Sequence, residues 1–138
     1  MTAPPRSAVR TRRIALPAWL VAAALATGCA TTARPRLGTV EGRISLDGSP
    51  LPAAVVRFTP AGRGRTSQAV TDPDGRYQLH YLRDIPGADI DHHTVRISTA
   101  TEENGGRESL PARYHARTEL AADVRPGRNT IDFDLRSR

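Results

Sequence analysis

Two kinds of apolar pattern divide this chain. From Ile14 to Ala26 every residue is apolar, whereas beyond Cys29 apolar residues recur at alternate positions in short runs broken by Gly, Pro and Asp. Val40, Gly42, Ile44 and Leu46 alternate with Glu41, Arg43 and Ser45, the period of a strand with one wet face. Asp47-Gly48-Ser49-Pro50 turns that strand, and Ala53 to Phe58 forms the next, with Val56 and Phe58 on one face and Arg57 on the other. Pro60 and the Gly62-Arg63-Gly64-Arg65 run end it. Gln68 to Thr71 and Arg76 to Leu79 then flank Asp72-Pro73-Asp74-Gly75. Pro presets φ, Asp bonds its own backbone and Gly supplies positive φ, which predicts a hairpin closed by a type I turn with a glycine bulge. Tyr81 to Asp91 is broken by Pro86-Gly87 and is expected to be a covering loop packed by Leu82, Ile85 and Ile90. His92 to Ser98 alternates again, Thr101 to Glu108 is a polar surface loop, and Leu120 to Val124 and Thr130 to Leu135 are strands around Arg125-Pro126-Gly127-Arg128. No helical period follows residue 29, and the seven short strands with turn signals between them predict an all-β, antiparallel β-sandwich.

The apolar run changes the picture from fold to address. At 13 residues it is shorter than the ~20 a helix needs to cross a bilayer. The net charge of +6 is concentrated before it: Arg6, Arg10, Arg12 and Arg13 precede residue 14, and no acid occurs before Glu41. A basic head, an apolar middle and small residues at the end mark a signal peptide. Thr11-Arg12-Arg13 is a fragment of a twin-arginine signal, but Ala15 stands where a bulky apolar residue is usual. Leu25-Ala26-Thr27-Gly28-Cys29 resembles a bacterial lipobox, with Ala26 at a step where Leu is commoner. That resemblance implies that the Cys29 thiol takes a diacylglycerol, and two acyl chains already anchor firmly. The competing expectation is ordinary signal cleavage at Ala24-Leu25-Ala26, which releases a soluble chain with a stray thiol. The chain therefore divides into a lipoprotein signal peptide (1–28), a flexible tether (29–37) and a β-sandwich domain (38–138). Ala30 is not the Asp that holds some lipoproteins at the inner membrane, so the expected location is the outer membrane, facing the periplasm.

Beyond Cys29 the excess of arginine over acid falls to two, which removes the main support for a nucleic-acid partner. Every cationic residue is Arg, so lysine Schiff-base chemistry and Lys–Asn crosslinks are excluded. One cysteine allows no internal disulfide, and stability must come from packing.

Gly38-Thr-Val-Glu-Gly42, Asp47-Gly48-Ser-Pro-Leu51, Ala54-Val-Val-Arg-Phe58, Thr71-Asp-Pro-Asp-Gly-Arg-Tyr77, Pro111-Ala-Arg-Tyr114, Thr118-Glu-Leu120 and Asn129-Thr-Ile-Asp-Phe133 occur in that order. This ordered set resembles the carboxypeptidase regulatory-like (transthyretin-like) domain of small exported bacterial lipoproteins, over about residues 38–135. The resemblance implies a seven-stranded, Greek-key, prealbumin-like sandwich and carries over no catalytic residues. The chain departs from it at His115, often Asn in that family, and at Ala88 to His93, usually a plainer Gly-containing turn.

Candidate chemistry is thin. Asp89, Asp91, His92 and His93 are residue types that suit Zn²⁺ or another transition metal. Adjacent strand residues point to opposite faces, however, so the expected reading is a polar loop leading into a strand, with no metal; His80 and His115 join such a site only if the fold brings them there. Asp72-x-Asp74-Gly75 starts like a calcium loop without its later ligands, and turn chemistry accounts for it. Ser45, Ser98 and Ser109 stand in no nucleophile motif, and the chain ends Leu135-Arg-Ser-Arg138, unlike the Tyr-Arg-Gly-Ser of a transthyretin-like hydrolase. Trp19 lies in the leader, leaving Tyr77, Tyr81 and Tyr114 for stacking on a carbohydrate. Arg63, Arg65, Arg107, Arg113 and Arg117 are candidates for a basic rim facing anionic envelope polymers. The expected function is a non-enzymatic, lipid-anchored envelope protein with a structural or protein-contact role and no cofactor. The alternatives are an envelope carbohydrate- or ligand-binding module working through the sandwich-end loops, and a metal-binding protein through Asp89 to His93.

Overall fold

In most of the alternating runs the apolar side chains turn inward and the polar ones outward; the exceptions are exposed Val70 and buried Ser67, Thr71 and His93. The computed structural model describes residues 34–138; the expected signal peptide with Trp19, the expected lipidation site Cys29 and the expected tether up to residue 33 lie outside the described residues. The elements in chain order are β1 (Leu37–Leu46), β2 (Ser49–Pro50), β3 (Val55–Pro60), β4 (Ser67–Val70), β5 (Arg76–Gln78), β6 (His80–Leu82), β7 (Ile85–Pro86), β8 (Ala88–Asp89), β9 (His92–Ser98), a 3-10 turn (Ala112–Tyr114), β10 (Ala121–Asp123), β11 (Gly127–Thr130) and β12 (Phe133–Leu135).

They form two sheets, as a sandwich requires. One is built on β1, which pairs with β2, β5, β8, β11 and β12; the other runs β10-β9-β3-β4-β6-β7. In β3 and β9 the residues Val56, Phe58, Val95 and Ile97 are fully closed to solvent, while Arg57, Thr59, Thr94 and Arg96 between them are exposed. Phe58 is the meeting point of the sheets: its ring lies 6.2 Å from Phe133 in an edge-on arrangement and 6.4 Å from Tyr77, both on the opposite sheet. Edge-to-face contact is a favoured arrangement for aromatic rings. The Tyr77 hydroxyl donates to Ile131 O at 2.6 Å, filling the gap in the β1 ladder between β11 and β12. Burial, with Asp132 nearby, pushes that phenol well above its ordinary pKa.

Three expectations about connectivity need correction. Asp72 to Gly75 is a tight turn: Gly75 N–H donates to Asp72 O at 2.9 Å, Asp72 N–H to Arg76 O at 2.9 Å, and Gly75 has φ 73°. The Asp72 carboxylate also accepts from Asp74 N and Arg76 N. Yet the strands on either side do not pair as a hairpin. β4 joins β3 and β6, and β5 joins β1, so the turn is a corner between sheets. Buried Thr71 helps to part them, because its backbone and hydroxyl are bonded to Ala53, Ala54 and Leu51 rather than across the turn.

Second, Tyr81 to Asp91 is not a packed loop. It contains the edge hairpin β6–β7 and then β8, which pairs with the start of β1. Proline is tolerated at a sheet edge, so Pro86 ends the second sheet, and the chain passes through Gly87 to the first. Leu82 and Ile85 are consequently 40% and 41% exposed, not buried. Third, β10 and the two last strands do not pair with each other. β10 is the edge of the second sheet, and β11 and β12 run parallel to β1, so the first sheet mixes parallel and antiparallel pairs. The chain crosses between sheets at Arg125-Pro126 and enters beside the start of β1, which fixes the parallel sense.

Candidate functional site

The strand registers give the sandwich two distinct ends. β1 begins at one of them, and there Pro60 pairs with His93 and Ile90 N–H donates to Arg36 O at 2.9 Å. We call this the tether end. The far end carries Asp47-Gly48, the Asp72 to Gly75 corner and the loop that follows Ser98, since Val55 pairs with Ser98 there.

At the tether end, Asp89, Asp91, His92 and His93 diverge. Asp89 accepts a hydrogen bond from Arg65 N at 3.0 Å, and Asp91 accepts from Gly62 N and from His92 N, both at 2.8 Å. Those backbone donors hold the Asp91 carboxyl below the usual carboxylate range. The two aspartates therefore clamp the β3–β4 loop. Glycine makes room for this clamp: a Cβ at Gly64 would stand 2.5 Å from an Asp89 carboxylate oxygen and 2.9 Å from Pro60 Cγ, and one at Gly62 3.0 Å from Asp91. The Gly-Arg-Gly-Arg pattern thus sets backbone against carboxylates at the glycines and leaves Arg63 and Arg65 exposed. His92 lies on the outer face, its Nδ1 2.6 Å from Asp123 Oδ1. His93 points inward, fully buried against Phe58 with ring centroids 5.7 Å apart, and its Nε2 bonds Asp89 O at 2.8 Å. His80 is exposed on β6, and His115 bonds Leu110 O. Among the described residues no three His, Cys, Asp or Glu side chains converge as a metal site.

The arginines expected on one rim are split between the ends. Arg63 and Arg65 belong to the tether end, whereas Arg107 lies in the far loop after β9 and Arg117 is exposed between the 3-10 turn and β10. Arg113 donates to Arg136 O at 2.7 Å and lies 4.8 Å from the Tyr114 ring centre. The tyrosines are also dispersed. Tyr77 is core, the Tyr114 hydroxyl accepts from Arg136 N at 3.0 Å, and only Tyr81 is half-exposed beside open grooves. Ser45 and Ser98 bond the carboxylates of Asp134 and Glu108, and neither bonds a histidine.

The far loop has a polar centre that the sequence did not reveal. Glu108 accepts from Ser98 Oγ, Thr99 N and Oγ1, Ser109 N and Leu110 N at 2.6–3.0 Å. Partial burial opposes its ionisation, but these bonds win and hold its carboxyl at about 2. Asn104 ties Thr101, Thr99 and Arg107 together in the same loop.

Two open grooves meet at Tyr81. One, of about 730 Å³, is lined by Arg57, Arg65, Gln68, Tyr81, Leu82 and Arg83 among others. The other, of about 370 Å³, is lined by Arg34, Arg36, Arg63, Tyr81, Asp89 and Asp91 among others. A third groove of about 630 Å³, beside Tyr77 and His80, mixes Glu41, Arg43, Arg76 and Asp132.

No family model matches the chain. No curated protein matches it either. Among solved structures it is similar to a DUF3823 family protein from Parabacteroides merdae, with a TM-score of 0.47 and 12% identity. The similarity covers 74% of this chain and 47% of that one, so the chain spans about half the length of that protein.

Proposed function

We propose that the chain is a non-enzymatic β-sandwich protein of the bacterial cell envelope, of the carboxypeptidase regulatory-like kind, lipid-anchored through Cys29. Its role is structural or in protein contact, at the outer membrane facing the periplasm. The observation that carries this reading is the single cysteine at the end of the apolar run, five residues before the described domain begins. The domain itself supports it. Its carboxylates Asp89, Asp91 and Glu108 accept hydrogen bonds from its own loops, an arrangement that suits a scaffold. A second reading, an envelope ligand-binding module, is favoured by the grooves that meet at Tyr81 and their arginines.

The test is fractionation with fatty-acid labelling. Wild-type protein is expected in the membrane fraction carrying labelled palmitate. Cys29→Ala is expected in the soluble fraction or as an unprocessed precursor. An unchanged membrane fraction and an unchanged mature mass for Cys29→Ala would overturn the proposal.

A further inference from the structure

The grooves that meet at Tyr81 are lined by six arginines, Arg34, Arg36, Arg57, Arg63, Arg65 and Arg83, against two carboxylates. Both carboxylates are bonded to the β3–β4 backbone. Among the described residues none of the six guanidinium groups makes an ion pair, the two pairs present being His92–Asp123 and Arg128–Glu41. Arg57 also sits directly opposite Arg96 in the antiparallel β3–β9 register, a like-charge placement that costs stability unless something offsets it. Beside this basic surface stands the β6–β7 hairpin, whose paired residues Leu82 and Ile85 flank Arg83-Asp84 and are both exposed. Two exposed aliphatic side chains next to unpaired arginines match the boundary between lipid headgroups and acyl chains, where apolar tips enter and cations meet phosphates.

The chain itself brings this surface to a membrane. Four residues separate Cys29 from Arg34, so the two are at most ~18 Å of extended chain apart. Arg34 and Arg36 line the groove that contains Tyr81. We propose that the tether end docks on anionic lipid, with Arg63, Arg65 and Arg83 over the headgroup phosphates and Leu82 and Ile85 in the headgroup–acyl boundary. This deepens the anchored reading and rests on it for the placing of Cys29. A soluble polyanion would use the arginines too, but gives the exposed Leu82 and Ile85 no partner.

The experiment uses the processed Cys29→Ser chain, exported behind a general secretory leader, so that binding is read without an acyl group. Cosedimentation is expected with vesicles containing phosphatidylglycerol and not with phosphatidylcholine vesicles, weakening as salt rises. Arg63→Ser with Arg65→Ser, and separately Leu82→Ser with Ile85→Ser, are each expected to weaken binding about tenfold or more. Arg107→Ser with Arg117→Ser is expected to leave it unchanged. Melting temperatures of all three double variants within a few degrees of the parent establish that the fold is intact. Absence of binding to the anionic vesicles overturns the docking surface but leaves acylation of Cys29 standing, since that is read separately by mass. Equal losses from the Arg107 and Arg117 pair would show non-specific charge attraction. Capture of dextran sulfate as tight as that of vesicles, with no effect of the Leu82 and Ile85 changes, would assign the surface to a polymer and overturn the lipid reading.

Discussion

At the far end of the sandwich, Glu108 gathers Ser98, Thr99, Ser109 and Leu110 around one carboxylate, and Asn104 closes the loop beneath it. At the tether end, Asp89 and Asp91 do similar work for the β3–β4 loop, but the guanidinium groups of Arg63 and Arg65 make no ion pair among the described residues. The contrast separates two uses of charge. A charged group satisfied by its own backbone holds a loop in place, as buried or half-buried polar groups must be satisfied. A charged group displayed on a loop so held is free to meet a partner, and it adds little to stability.

The largest expected effect comes from glycine. Gly75→Val at the far end forces a β-branched residue into positive φ and drives its Cβ into the Ile44 carbonyl oxygen, which is fixed in β1. The φ cost alone is on the order of 1–2 kcal/mol, and the collision adds to it. At roughly 4–8 °C per kcal/mol for a domain of this size, a fall in melting point of about 10 °C or more is expected. Gly64→Val at the tether end has no positive φ to overcome and meets the Asp89 carboxylate and the Pro60 ring, side chains rather than strand backbone, so its fall is expected to be smaller. Equal melting points would break the comparison at its base.

Next in size is Glu108. Removing its carboxylate in Glu108→Ala leaves the hydroxyls and amides of the far loop without their acceptor, at a cost of about 1–3 kcal/mol, toward the lower figure where water can replace it. Because its carboxyl is held at about 2, below the ordinary glutamate value of 4.5, Glu108 binds its proton more readily in the unfolded chain. Its contribution is therefore complete above about pH 5 and is lost as pH falls from there toward 2. In Glu108→Gln the acid limb of the stability profile is expected to be flatter over that window; an unchanged limb would show that Glu108 does not carry it.

A smaller effect is expected for Asp89→Ala and Asp91→Ala. These free the β3–β4 loop without opening the core, so amide exchange should quicken at Arg65 in the first and at Gly62 in the second, with little change in global melting. The smallest effect belongs to Arg63→Ser and Arg65→Ser, expected within about 0.5 kcal/mol of the parent. A larger loss would mean that these arginines hold the fold, and the two ends would no longer differ.

Much of the architecture was legible in the chain. The alternation in Val40 to Leu46, Ala53 to Phe58 and His92 to Ser98 places three long strands and their inward faces, because a period of two is sufficient wherever one face is buried. The Asp72 to Gly75 chemistry likewise gives the turn. What alternation cannot give is a strand's partner. Gln68 to Thr71 and Arg76 to Leu79 look like a hairpin because their separation is short, and only the bonds of buried Thr71 to Ala53, Ala54 and Leu51 show that they part. Leu82 and Ile85 read as buried because apolar residues beside Pro-Gly usually cover a core; their exposure follows from an edge position that depends on pairings far away in sequence. For the candidate site, Asp89 to His93 drew notice by residue type, and their real task became visible only with the loop of glycines they clamp. Glu108 drew none, since a glutamate in a polar loop has no spacing signal.

The proposed anchoring requires the tether end of the sandwich, and not the far end, to face a membrane. The direct measurement places an environment-sensitive dye on Asp84→Cys, at the β6–β7 tip, or on Glu103→Cys, in the far loop, in protein purified from membranes and reconstituted into phosphatidylglycerol vesicles. The proposed acylation blocks the Cys29 thiol, so on that proposal each variant carries one label. A blue-shifted, brighter emission is expected from the label at 84 and an aqueous emission from the label at 103. An equal or larger shift at 103, or an aqueous signal at both, would contradict that orientation.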